Sequence, residues 1–174
     1  ANATSGIGIN HRELDHGVYD ALIGNKDINQ VIKRTIIDRY KIAPATASLA
    51  GAGIEMVSMD DREFVLFNLL YSVTYEYDFI IIDGPPSLGL LTINSLVAAD
   101  WVLIPIQSEY YALEGLGQLL DTINLVQENL KPDLGILGAV VTMFDKRNKL
   151  SGLVLNELHE HFPNKVFRTV IPER

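Results

Sequence analysis

Two rhythms of hydrophobic and polar positions divide the chain. From residue 77 onward, short dense apolar runs alternate with longer stretches at helical spacing. The run Phe79-Ile80-Ile81-Ile82 has three β-branched residues and ends at Asp83-Gly84-Pro85-Pro86-Ser87. Such a run predicts a strand over 79–83, buried on both faces of a parallel sheet. A helix follows from about Leu88 to Ala98, then a strand over Trp101–Ile106. A long helix is expected from about Leu113 to Leu130, closed by Lys131-Pro132. Gly135–Met143 reads as a third strand, Leu150–His161 as a helix and Val166–Ile171 as a fourth strand. Strands alternating with helices at this spacing predict βαβ units. The fold class is therefore α/β: a mostly parallel sheet with right-handed crossovers and helices on both faces.

The first 76 residues are less regular. Residues 1–14 are glycine-rich and polar and read as a loop. Val18–Ile23 predicts a short helix, stopped by Gly24-Asn25. Asp27 can cap a helix through Lys33 that carries Ile28, Val31 and Ile32 on one face. Tyr40–Pro44 is extended, and Ser48–Ser58 is helical despite Gly51 and Gly53. Asp60 or Asp61 is expected to cap a longer helix through about Val73, with Phe64, Phe67, Leu70 and Tyr71.

Composition narrows the classes. With 174 residues and 48% hydrophobic content, one domain with a real core is expected. The chain has no cysteine, which excludes disulfides, thiolate metal sites and cysteine nucleophiles and suits a reducing compartment. No apolar stretch is long enough for a transmembrane helix, and the first residues lack the pattern of a signal peptide. Net charge is −8, so any contact with nucleic acid must come from a local basic patch.

Asp83 carries the main candidate chemistry. A carboxylate at the carboxyl end of a buried parallel strand sits where open α/β sheets bind ligands. In P-loop nucleoside triphosphatases that position holds the Walker B aspartate, which helps to hold Mg²⁺. The plainer alternative is a turn residue before two prolines, which fix the path of the chain on either reading. Other candidates are weaker. His159 and His161 point in different directions on one helix and suit a solvated surface. His11 and His16, near Glu13 and Asp15, form only a loose metal-ligand set. Gly51-Ala52-Gly53 lacks the third glycine and preceding strand of a dinucleotide site, and there is no Gly-x-Ser-x-Gly.

Taken together, several segments closely resemble the ParA/Soj family of chromosome- and plasmid-partition ATPases, the deviant-Walker P-loop group that includes MinD. They are Asp78–Asn94, Val102–Gln107, Glu109–Leu116, Thr142-Met143-Phe144-Asp145 and Lys165–Pro172, with Asn2–Gly8 resembling the stretch after that family's second aspartate motif. The resemblance covers nearly the whole chain. It implies a ParA/MinD-like P-loop NTPase fold, here incomplete: a single domain over 1–174, truncated at both ends. No Gly-Lys-Thr or Gly-Lys-Ser run occurs, so the chain reads as a middle segment without the phosphate loop. The first strand of the family would pair beside Phe79–Ile82; without it, that run should expose apolar surface and unpaired edge groups. An aggregation-prone chain, or one rescued by strand exchange, would follow.

The resemblance also assigns roles. Asp83 becomes the catalytic and metal-holding Walker B carboxylate. Pro172 and Arg174 lie beside the nucleotide base, with Glu173-Arg174 replacing the family's Arg-Asn. Lys146, Arg147 and Arg168 become DNA-binding candidates, although Lys146-Arg147-Asn148-Lys149 also reads as a solvated loop. Glu109-Tyr110-Tyr111 lines a dimer interface or simply supplies a capping acid and two half-buried aromatics. Thr142–Asp145 is a base-proximal edge or a plain strand exit. The implied cofactors are ATP and Mg²⁺, with neither bound by this chain alone. The implied partners are a second copy in a homodimer, a ParB-like partner protein and nonspecific DNA, with no membrane, at the nucleoid in the bacterial cytoplasm. The function so implied is that of a segment of a partition ATPase, without ATP hydrolysis by the chain alone. The competing readings are a non-catalytic ParA-like interaction module and, more weakly, a dinucleotide-binding enzyme.

Overall fold

The computed structural model describes residues 2–109 and 112–173. These fall into two compact units, residues 1–98 and 99–174.

The first unit is mainly short helices. α1 (Asn2–Gly6) and a 3₁₀ turn at His11–Glu13 occupy the stretch expected to be loop. Glycine and small polar residues hide a helix this short, because its apolar stripe is less than one turn long. α2 (Val18–Leu22) ends before Gly24, whose φ of 80° is left-handed. α3 (Ile28–Val31) is capped by Asp27, whose carboxylate accepts the Asn29 N–H at 2.8 Å. It ends earlier than expected, because Lys33–Arg34 (β1) pairs antiparallel with Lys41–Ile42 (β2). Ladder pairing here overrides helical propensity. α4 (Leu49–Glu55) continues into a 3₁₀ turn at Met56–Ser58.

α5 (Val65–Tyr71) begins several residues after Asp60 and Asp61, so neither caps it. Asp61 instead takes a left-handed φ of 48° in the preceding turn, where Phe64 N–H donates to its carbonyl. α6 (Leu90–Ala98) packs on α5. Two apolar clusters hold the unit together, one around Ile28, Val31 and Val73 and one around Leu22, Ala52 and Met56.

The expected strand over 79–83 does not form a ladder among the described residues. A strand is defined by its neighbour, and no neighbour pairs with this run. Its exposure follows the expectation: Phe79 is 88% and Ile81 83% exposed.

In the second unit, β3 (Trp101–Gln107) and β4 (Gly135–Thr142) pair in parallel, joined by α7 (Ala112–Asn129). This is the βαβ unit read from the sequence. Ile104, Ile106, Ala139 and Val141 are buried with Ile123 and Val126 of α7. α8 (Lys149–His161) follows, with Val154 and Leu158 buried.

The expected fourth strand, Val166–Ile171, is reduced to two isolated parallel bridges, Ala139↔Val166 and Phe144↔Pro172. Between the bridges this segment has one more residue than β4 has, so the ladder cannot stay in register. Gly138 permits the close approach. Its φ is 149°, and a Cβ there would lie 2.6 Å from the Lys165 carbonyl oxygen.

Candidate functional site

Asp83 is exposed in the loop between the 79–82 run and α6. It forms no salt bridge among the described residues. Hydrogen bonds from α6 fix the loop that carries it. The Thr92 hydroxyl donates to the Ser87 carbonyl, and Ile93 N–H donates to the Gly89 carbonyl at 3.0 Å. Asn94, 1% exposed, anchors α6 in turn: its Oδ1 accepts from Leu66 N–H at 3.0 Å, and its Nδ2 donates to the carbonyls of Arg62 (2.8 Å) and Leu90 (3.0 Å). Sequence reading assigned Asn94 no role, because its partners at 62 and 66 are remote in the chain.

The second unit carries an open groove of about 800 Å³ lined by Phe144, Asp145, Lys146, Arg147, Val170, Pro172 and Glu173. Its two walls are the exit of β4 and the end of the returning segment. Phe144 N–H donates to the Ile171 carbonyl at 3.1 Å, and Glu173 N–H to the Phe144 carbonyl at 3.3 Å. Met143 turns the chain with a left-handed φ of 54°. Its carbonyl accepts the Ser108 hydroxyl at 2.7 Å, and Ser108 accepts in turn from Ser151 at 3.1 Å. Both serines are buried, so the turn is braced from beneath.

Arg147 grips Asp145. Its Nε lies 3.1 Å from Oδ1 and its Nη2 3.0 Å from Oδ2, while its backbone N–H donates to Oδ1 at 2.9 Å. The guanidinium bond, then the backbone donor, holds the Asp145 carboxyl below its ordinary range. The Arg147 guanidinium is pushed up, first by its bond to Asp145. The Asp-x-Arg spacing was visible in the sequence, but it signals a pair only once the turn at Met143 is known.

The groove thus gathers Pro172, Lys146 and Arg147. Arg168 is exposed between the two bridges and does not line it. Asp83 belongs to the other unit. Arg174 lies outside the described residues, as do Tyr110 and Tyr111; Glu109 is exposed. Elsewhere, His11 Nδ1 is 3.2 Å from the Ser5 hydroxyl, and His16 is 3.6 Å from Asp20. Among the described residues, no group of three His, Asp or Glu side chains converges as a metal site. No helix among them is long and apolar enough to cross a membrane.

A family model described as an AAA domain matches residues 1–136. Over 171 residues the chain is 51% identical to the sporulation initiation inhibitor protein Soj of Bacillus subtilis (strain 168), covering 98% of this chain and 68% of that protein. The chain belongs to the ParA/Soj family of partition ATPases. The chromosome partitioning protein ParA of Myxococcus xanthus (strain DK1622) is 47% identical over 171 residues, covering 98% of this chain and 60% of that protein. Among solved structures, that of cobyrinic acid a,c-diamide synthase from Mycobacterium smegmatis with bound ADP and magnesium superposes with a TM-score of 0.91. It is 36% identical and covers 98% of this chain and 69% of its own. The fold of this ParA/Soj family chain is accordingly the ParA/MinD-like P-loop NTPase fold, α/β with parallel strands and helices. The chain spans about two thirds of the length of these relatives.

Proposed function

We propose that the chain contributes the metal-side carboxylate and the base-side groove of a partition ATPase's nucleotide site. The observation that carries this reading is the 51% identity to Soj over 98% of the chain. Asp83 is the metal-side group. Mg²⁺ is typically held by one or two carboxylates plus the phosphates of its nucleotide, and a single exposed carboxylate fits one such position. Mg²⁺ would neutralise charge on the transferred phosphate. Pro172, with Phe144 against it, and Arg174 form the base side. Lys146, Arg147 and Arg168 contact DNA phosphates, with Arg147 discounted by its bond to Asp145. In the whole protein, ATP drives pairing of two copies and nonspecific DNA binding at the nucleoid of the bacterial cytoplasm, and a ParB-like partner stimulates turnover.

The 174 residues contain no phosphate loop, and phosphoryl transfer needs a cradle of backbone N–H groups and lysine charge. ATP turnover by the purified chain should therefore equal that of its Asp83→Ala variant. In a longer protein carrying a phosphate loop, the same substitution should lower kcat by about a hundredfold or more, the scale of losing one preorganised electrostatic contact. Turnover by the 174-residue chain above the variant would overturn the proposal. A non-catalytic ParA-like module is the alternative; tight ATP binding by the protein with its upstream sequence would exclude it.

A further inference from the structure

We propose that the β1–β2 hairpin is a lipid-contacting tip that docks reversibly on an anionic membrane surface. Its turn holds Ile36 and Ile37 out in solvent, 94% and 53% exposed, with Tyr40 at 42% on the return. An aliphatic pair that projects this far is a convex tip, which enters a soft surface without needing a pocket to receive it. Tyr40, apolar along its ring and polar at its end, suits the boundary between lipid and water.

The tip is already folded for such a contact. Polar backbone groups are costly to bring to lipid unless they are paired. Here the Thr35 N–H donates to the Tyr40 carbonyl and the Tyr40 N–H to the Ile37 carbonyl, both at 3.2 Å. The Thr35 hydroxyl accepts the Ile37 N–H at 3.1 Å and donates to the Tyr40 carbonyl at 2.9 Å. Arg39 takes the left-handed φ of 58° that closes the turn. Little conformational entropy remains to be lost on docking.

A basic collar surrounds the tip. Lys33, Arg34, Arg39 and Lys41 stand against Asp38 alone, a net charge of +3 in a chain of −8. Arg39 reaches Asp78 at 3.8 Å, and Lys41 lies 5.1 Å from the centre of the Tyr77 ring. Lys33 and Arg34 are exposed and enter no ion pair among the described residues. Each basic residue at an anionic surface is worth about fivefold in binding. The acidic remainder of the chain is repelled by the same surface, which turns the hairpin toward it. Apolar insertion and a basic cluster are the two signals that a surface contact combines, and no spanning helix is required. The resemblance by itself implies no membrane; the hairpin supplies the reason to depart from it. Duplex DNA would engage the collar but gives Ile36 and Ile37 nothing to be buried in, so the pairing of the two features favours lipid.

The contact needs no nucleotide, so its test is independent of the proposed ATP site. The purified chain should float with phosphatidylcholine vesicles that contain about 40% phosphatidylglycerol, and about tenfold or more less with phosphatidylcholine alone. Flotation also separates bound protein from aggregate, which sinks. Binding should fall about tenfold between roughly 20 mM and 300 mM salt, as screening of exposed charges requires. Lys33→Glu with Arg34→Glu should abolish it. Ile36→Ser with Ile37→Ser should weaken it about tenfold while the salt dependence remains. In Ile36→Trp, the indole emission should shift to the blue on anionic vesicles beyond any change the wild type shows. These side chains are exposed, so the variants should keep the wild-type melting temperature. No flotation with anionic vesicles would overturn the proposal, as would equal binding to both lipids. Binding that the serine pair leaves intact would reduce the contact to charge alone and overturn it too. So would binding of duplex DNA, but not vesicles, through Lys33 and Arg34.

Discussion

Asn94 shows how much one buried side chain can carry. Its amide serves three backbone groups, one from each of α5 and α6 and one from the turn that precedes α5. Asn94→Ala would strand the Leu66 N–H and the Arg62 carbonyl in a part-buried place. We expect a loss of about 1–2 kcal/mol, the cost of lost hydrogen bonds to part-buried groups, read by urea or thermal unfolding. Asp145 makes the opposite case, an ion pair at the surface. Its partner Arg147 is 91% exposed, so the pair stabilises little. It does set a direction with pH. A carboxyl held low by Arg147 contributes its stabilisation above the ordinary carboxylate pKa, and loses it as pH falls through the lowered value. In an NMR titration, Arg147→Ala should move the Asp145 midpoint upward, toward the ordinary carboxylate range. An unchanged midpoint would show that the pair does not form in solution.

At the scale of elements, what the sequence disclosed depended on length and on neighbours. β3, α7, β4 and α8 lie within a residue or two of their expected bounds, because each has enough residues for its period to stand out. α1 was missed because five small and polar residues carry no period. Asp60 and Asp61 were over-read as caps, since capping chemistry also suits turns. The run 79–82 has ideal strand composition, yet a strand also needs a partner, which no single segment encodes. Hydrogen exchange should show this directly. Amides of 79–82 should exchange faster by orders of magnitude than those of Ile104, Ile106 and Val141; equal protection would indicate a ladder partner. The candidate site followed the same logic. Asp83 and Pro172 were legible as motif residues, whereas the Ser108–Ser151 brace joins positions 43 apart and left no local trace.

At the scale of the whole molecule, a chain of −8 can hold DNA only through its few unspent cations. Arg147 is spent on Asp145, whereas Lys146 and Arg168 are exposed. In a DNA-binding family member carrying this chain, Lys146→Ala or Arg168→Ala should each weaken binding several-fold and flatten the salt dependence by about one ion. Arg147→Ala should do less; an equal loss would mean that DNA displaces Asp145. The surplus residue between the Val166 and Pro172 bridges has a reach of its own. Because side chains alternate along extended backbone, that residue acts as a phase shifter. It sets whether Val170 and Pro172 face the groove or turn their backs on it. Deleting Arg168 would turn the alternation over beyond it, so that Val170 and Pro172 leave the groove and the groove loses a wall.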